Sequence, residues 1–212
     1  MNLPATSGFR LDLKGGDCCL VDGAISPEDG TLLLDSLLHH VSWVQPEISM
    51  FGRRYRSPRL AAWYGDAGAV YRYSGLVNRP LPWREELLAL KARLEERFVA
   101  RFNCVLLNLY RDGSDSMGWH ADDEPELGAE PCIVSVSLGG TRRFRLRHRF
   151  DPAVKPVSVD LVHGSVLIMR GRTQHNWKHA LPRTRKPVGP RINLTFRYVS
   201  RPSGGFATDA PA

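Results

Sequence analysis

The residues with the clearest chemical potential lie in "NLYRDGSDSMGWHADDEPELG", Asn108 to Gly128, where His120 is followed two residues later by Asp122 and then at once by Asp123 and Glu124. On an extended segment His-x-Asp puts an imidazole and a carboxylate on one face, so both can reach a single ion. One more histidine from a later strand would complete a two-histidine, one-carboxylate set. That set holds Fe(II) on one side and leaves three positions open for oxygen chemistry. His163, His175 and His179 are the candidates. His175 and His179 stand four apart in "QHNWKHALP", a spacing that on a helix resembles a zinc pair, but no glutamate follows His175, which argues against a hydrolytic zinc site. Residue types alone leave the three open.

An Fe(II) centre of this kind commonly works with 2-oxoglutarate, a dicarboxylate, so its pocket needs fixed positive charge. "RINLTFRY" supplies it: alternation sends Arg191, Asn193, Thr195 and Arg197 to one face and Ile192, Leu194, Phe196 and Tyr198 to an apolar face. A surface strand would alternate in the same way. In "RRFRLRHR" the same period separates Arg142, Phe144, Leu146 and His148 from a row of Arg143, Arg145, Arg147 and Arg149. Like charges that close repel, so the row is either a solvated face or a track for something anionic.

These residues need a scaffold. The 212 residues, 42% hydrophobic and 24% charged, suit one globular domain with a buried core. The formal charge of +7 and isoelectric point near 9.5 favour a polyanionic partner. No apolar run approaches a membrane span and no leader pattern precedes residue 16, so a cytosolic protein is expected, with no membrane partner. Cys18, Cys19, Cys104 and Cys132 lack metal spacing and read as free thiols.

"SPEDGTLLLDSLLHHVSW" predicts a helix capped by Ser26 with Pro27 at its first position and an apolar stripe of Leu33, Leu34, Leu37, Leu38 and Val41. A second helix is expected to start at Pro82, with Leu87, Leu90, Leu94 and Phe98 as its stripe. Residues 46–75, rich in Gly, Arg and aromatics, read as loops and short surface hairpins. From Cys104 the chain becomes short strands, "CVLLNLY", "CIVSVSLG", "RRFRLRH", "PVSVDLVHG", "SVLIMRG" and "RINLTFRYV", a spacing that fits a β-sandwich or jelly roll.

The motifs "NLYRDGSDSMGWHADDEPELG", "SVSLGGTRRF", "GSVLIMRGRTQHNWKHALP" and "PRINLTFRY" together resemble the AlkB family of Fe(II)- and 2-oxoglutarate-dependent dioxygenases, and within it the branch of AlkB homologues 2 and 3. The resemblance runs from about Met50 to Val199 and rests on several motifs in order. It implies a mainly β (α+β) fold, a double-stranded β-helix with supporting helices and an N-terminal nucleotide-recognition lid. Residues 1–103 would form the extension, packing helices and lid, 104–199 the dioxygenase core, and 200–212 a disordered tail.

By resemblance the second iron histidine is His179, in "WKHALP", so that His120, Asp122 and His179 hold Fe(II). His175 becomes a neighbour of the metal site and His163 a strand-boundary residue. The cosubstrate contacts fall on Asn108, Tyr110, Arg191, Thr195 and Arg197, with the division of carboxylates between the two arginines open. Asp123 matches the acid that contacts a flipped base, where it can accept from an exocyclic amine or offset the cationic charge of an N-methylated ring. "MFGRR" resembles a finger inserted at the vacated base position, with Phe51 as wedge, Gly52 allowing close approach, and Arg53 and Arg54 at phosphates. "YRYSG" resembles a base-clamping lid of Tyr71, Arg72 and Tyr73, and Arg183, Arg185 and Lys186 resemble a basic loop on the nucleic-acid backbone.

The implied activity is DNA repair by oxidative demethylation of 1-methyladenine, 3-methylcytosine and, by extension, etheno adducts, consuming 2-oxoglutarate and O2 and releasing formaldehyde. The partner would be alkylated double-stranded DNA, met by a monomer. The alternatives are an oxygenase acting on RNA or protein, and a non-catalytic nucleic-acid-binding module.

Overall fold

The computed structural model describes residues 8–50, 53–69, 71–73 and 76–200. In chain order its elements are β1 (Phe9–Leu11), β2 (Asp17–Val21), α1 (Pro27–His40), β3 (Glu47–Met50), β4 (Arg53–Arg56), β5 (Leu60–Gly65), β6 (Tyr71–Tyr73), β7 (Leu76–Asn78), α2 (Glu85–Phe98), β8 (Cys104–Tyr110), β9 (Met117–His120), β10 (Ile133–Gly139), β11 (Arg142–His148), β12 (Val157–Leu161), β13 (Val166–Arg170), α3 (Thr173–Asn176), β14 (Trp177–Leu181) and β15 (Arg191–Arg197). Seven strands form a major sheet in the order β1-β2-β13-β10-β15-β8-β5, and four form a minor sheet, β12-β11-β14-β9. All pairings within both sheets are antiparallel. β3–β4 and β6–β7 stand apart as two-stranded ribbons.

Period-two alternation gives the major sheet two unlike faces. Val105, Leu107 and Leu109 of β8, Val134, Val136 and Leu138 of β10, and Ile192, Leu194 and Phe196 of β15 point outward and are covered by α1 and α2. The helices bring Leu37 and Val41, and Leu87, Leu90 and Leu94, the stripes expected from their spacing. Covering each such side chain contributes about 1.5–3 kcal/mol before ordering costs. Ser26 caps α1 as expected, its Oγ accepting from Asp29 N–H. The second helix starts at Glu85 after an Arg84 cap rather than at Pro82, because Leu81 N–H is committed to Trp63 and Gly65 to Leu81 in an extended contact with β5.

A second core, with Cys18, Leu20, Ile133, Leu146, Leu167 and Trp177, fills the space between the sheets. The jelly roll expected from the strand spacing is therefore present: "CVLLNLY" and "RRFRLRH" are β8 and β11 to the residue, and β15 covers Arg191–Arg197, two residues short of the expected "RINLTFRYV". Three of its strands, β1, β2 and β5, come from before residue 104, so the sheet draws on both sides of the division placed there. β5 departs from the expected surface hairpins: Ala61 to Gly65 are buried beside β8. Tyr198, expected on the apolar face, lies past the end of β15 and is 53% exposed. The tail 201–212 lies outside the described residues. No helix among the described residues is long and apolar enough to cross a membrane.

Candidate active site

Three ligand-type side chains meet between the sheets. β9 and β14 are adjacent in the minor sheet, and their register sets His120 directly opposite His179. Asp122 follows two residues past His120, turned inward and 4% exposed. One ligand atom from each of His120, Asp122 and His179 lies within 4.8 Å of the other two. His175 belongs instead to α3, is exposed and packs against Phe150 with ring centroids 5.7 Å apart, outside the cluster of ligand atoms. His163, at the turn before β13, accepts from Gly139 N–H through Nδ1 and faces the Pro27 carbonyl through Nε2.

The protonation states suit a divalent cation. Burial pushes His179 down to about 3, with His120 adding to the shift. Burial likewise lowers His120, against the opposing pull of Asp122. Both imidazoles are neutral at pH 7, so the 3.9 Å approach of His120 Nε2 to Asp122 Oδ1 is a pair of ligand atoms and not a salt bridge. His120 Nδ1 lies 2.9 Å from the Gly118 carbonyl; donating there leaves Nε2 with its lone pair toward Asp122. Burial alone would raise Asp122, yet Arg197, then His179 and His120, hold its carboxyl below the ordinary value. Arg197 Nη2 donates to Asp122 Oδ2 at 2.9 Å, which leaves Oδ1 on the histidine side. Two neutral nitrogens and one anionic oxygen on a common face fit Fe(II).

The polar face of β15 points into this space, so the alternative of a surface strand is excluded. Arg191 is 1% exposed and pairs with no carboxylate among the described residues. Its Nη2 donates to Ser137 Oγ and Asn193 Oδ1, both at 2.9 Å, and its guanidinium stands 5.3 Å from the Tyr110 ring centroid. Its Nε is buried without a hydrogen-bond partner among the described residues. Burial, opposed by Tyr110, pushes this guanidinium down to about 10. A buried cation with an unspent donor is the feature a carboxylate ligand satisfies, and the residues fit 2-oxoglutarate in that respect. Asn108, Tyr110 and Thr195 line the same cavity of about 50 Å³. A larger cleft of about 260 Å³ by Asp17, Cys19, Arg97 and Arg170 has no set of metal-ligating groups among the described residues and shares no lining residue with this cavity.

Several contributors were not singled out in the sequence. Arg59, buried, donates through Nε to Asn108 Oδ1 at 2.8 Å. Gln174, 1% exposed, accepts the Asp122 N–H on Oε1 at 3.0 Å. Ser137 stands opposite Asn193 on β10. Only the inward alternation of "SVSLG" hinted at any of them. Arg142 is buried on the inner side of β11 and donates to the carbonyls of Asp112, Asp115 and Pro182, tying two loops together.

The arginine row is partnered within the chain. Arg143 is paired with Asp160 and Arg149 with Asp123, while Arg145 and Arg147 reach over β14 to place their guanidinium carbons 5.8 and 4.4 Å from the Trp119 ring centroid. Asp123 itself sits exposed beside Asp122. Arg183, Arg185 and Lys186 are exposed on the loop after β14, and Arg54 is exposed with Glu47 at 3.8 Å. Phe51 and Gly52 lie outside the described residues, as do the side chains of Arg53, Tyr71, Arg72 and Tyr73.

Fold and site together define a class: residues 17–197 match the 2OG-Fe(II) oxygenase superfamily. The solved structure titled "The structure of OsALKBH1" superposes with a TM-score of 0.62 at 22% identity, covering 88% of this chain and 100% of that one, a likeness of fold. The chain is 41% identical over 189 residues to alpha-ketoglutarate-dependent dioxygenase alkB homolog 3 of Homo sapiens, 85% of this chain and 65% of that protein. It is 38% identical over 198 residues to DNA oxidative demethylase ALKBH2 of Homo sapiens, 90% of this chain and 76% of the relative. The chain belongs to the AlkB family of Fe(II)- and 2-oxoglutarate-dependent dioxygenases. It spans a little under two thirds of the length of the alkB homolog 3 relative.

Proposed function

We propose that this chain removes N-alkyl groups from DNA bases by oxidation, with 1-methyladenine and 3-methylcytosine as its principal lesions and etheno adducts as an extension. One observation carries the reading: neutral His120 and His179, ionised Asp122 and Arg191, which pairs with no carboxylate among the described residues, share a single cavity, with a further acid, Asp123, next to Asp122 in the chain. The name of the ALKBH2 relative, DNA oxidative demethylase, supports the same substrate class. His120, Asp122 and His179 would hold Fe(II), which with 2-oxoglutarate and O2 would supply the oxidation of the N-alkyl carbon; a hydroxylated N-methyl group then leaves as formaldehyde.

The chain's own residues bind and orient. Arg191, with Ser137 and Asn193 fixing it, takes the carboxylate of 2-oxoglutarate that is remote from the metal, while Asn108, Tyr110 and Thr195 line its path. Arg197 holds Asp122 in its ligating orientation. Asp123 accepts from the exocyclic amine of a flipped base. Phe51 fills the vacated position with Gly52 allowing close approach, Tyr71, Arg72 and Tyr73 clamp the base, and Arg53, Arg54, Arg183, Arg185 and Lys186 contact the backbone of duplex DNA.

The test supplies Fe(II), 2-oxoglutarate and a 1-methyladenine duplex, and measures restored adenine and formaldehyde. Wild type should release one formaldehyde per base restored, and His120→Ala none. No repair by wild type, or undiminished repair by His120→Ala, overturns the proposal. Faster turnover of the same lesion in RNA than in duplex DNA, unaffected by Phe51→Ala, would reassign the substrate to RNA.

A further inference from the structure

Asp123 is held before any base arrives. Arg149, one residue past β11, donates through Nη1 to Asp123 Oδ2 and, at 3.1 Å, to the Gln174 carbonyl. Its guanidinium carbon lies 5.6 Å from the Phe150 ring centroid, so one face of the cation is covered. Gln174 meanwhile takes the Asp122 N–H with its side chain. The consecutive acids are thus gripped from one short helix: Gln174 fixes the backbone of the metal ligand and positions the cation that pairs with the next residue. Among the described residues Asp123 Oδ1 has no partner, and the Asp123 side chain is 43% exposed against 23% for Arg149. An incoming base would meet an acceptor oxygen whose formal charge is already balanced.

We propose that Arg149 is a specificity-determining residue: by balancing Asp123, it makes the site choose bases by an exocyclic amino group and not by the positive charge of an alkylated ring. The inference rests on the base-demethylation reading above and deepens it. A bare carboxylate would attract any cationic ring and repel a carbonyl at the same position. A carboxylate with one oxygen bound to guanidinium keeps its hydrogen-bond acceptance on the other oxygen and loses most of its long-range pull.

Two oligonucleotides that differ only at the lesion test this. 3-Methylcytosine is cationic and carries a 4-amino group; 3-methylthymine bears its methyl group at the same nitrogen, is neutral and carries a 4-carbonyl. The readout is the ratio of kcat/KM for the first to that for the second, so any general loss of metal or stability divides out. Arg149→Met should raise the ratio about fivefold, the size of one partly screened charge contact, through KM for 3-methylcytosine. Arg149→Lys, which keeps the charge and loses the fork, should stay near the wild-type ratio. A residue that only braced the loop would give Met and Lys the same ratio. If Arg149→Met does not fold, Arg149→Gln carries the same expectation. An active wild type whose ratio is unmoved or lowered in the uncharged variants overturns this proposal alone; a wild type silent on both oligonucleotides overturns it together with the reading beneath it.

Discussion

Replacing Arg191 by methionine separates what the residue costs the fold from what it gives the site. The guanidinium, normally at 12.5, is pushed down to about 10 by burial, which at 1.36 kcal/mol per pH unit is about 3 kcal/mol spent on keeping it charged at neutral pH. Its bonds to Ser137 and Asn193 return about 1 kcal/mol each. Methionine removes both contributions, so the ligand-free variant should be as stable as wild type or about 1 kcal/mol more stable, a rise of roughly 2–4 °C in Tm at this size. With 2-oxoglutarate the order should reverse. A lost buried charge-assisted contact of about 2–5 kcal/mol weakens binding by about 30-fold or more, and the thermal shift given by 2-oxoglutarate to wild type should vanish in Arg191→Met. Thermal unfolding with and without 2-oxoglutarate, beside calorimetric titration, reads both halves. A variant more than about 2 kcal/mol less stable without ligand, or one still shifted by 2-oxoglutarate, would refute the reasoning.

Other expectations follow from single contacts. Gln174→Leu strands the buried Asp122 N–H and should cost about 1–3 kcal/mol in urea unfolding while loosening Fe(II) by about 10–100-fold in a chelator competition. Val99 ends α2 at φ 49°, a left-handed conformation disfavoured for a β-branched residue, and is 94% exposed; Val99→Gly should therefore gain about 1 kcal/mol with an unchanged urea m-value. Burial pushes the Cys18 and Cys104 thiols up to about 12, so neither carries thiolate at pH 8. Iodoacetamide on native protein, read by peptide mass spectrometry, should label partly exposed Cys132 and spare both until urea unfolds the chain; early loss of Cys104 would contradict its placement.

Much of the scaffold was legible because β8, β10 and β15 each carry an uninterrupted run whose alternation survives into the folded state. The same period gave both faces of β15 but not which of them met water, since a buried polar face and an exposed one share one pattern. β5 was missed because Ala61, Ala62 and Gly65 lie among arginines and a proline, and small residues acquire strand character only beside β8. β14 is short, and "WKHAL" has no lasting period, so His179 gained its place from motif likeness and not from periodicity. The arginine row looked uncompensated because its partners, Asp160, Trp119 and Asp123, stand on other elements. Arg149 and Gln174 had no signal of their own: their roles exist only once α3 folds against the segment that follows β9.

The direct opposition of His120 and His179 makes the centre a check on strand alignment. β9 is the outermost strand of the minor sheet, and the register between His179 and Leu181 is already shifted. A slip by one residue would rotate Trp119 inward and turn His120 out to solvent, so only the native alignment offers both nitrogens to one ion. An ion gripped by both residues would rivet the sheet's open edge to its neighbour. Preparations stripped of iron should then lose that rivet where a strand is most free to pair with another molecule, making metal content a determinant of shelf life as well as of turnover.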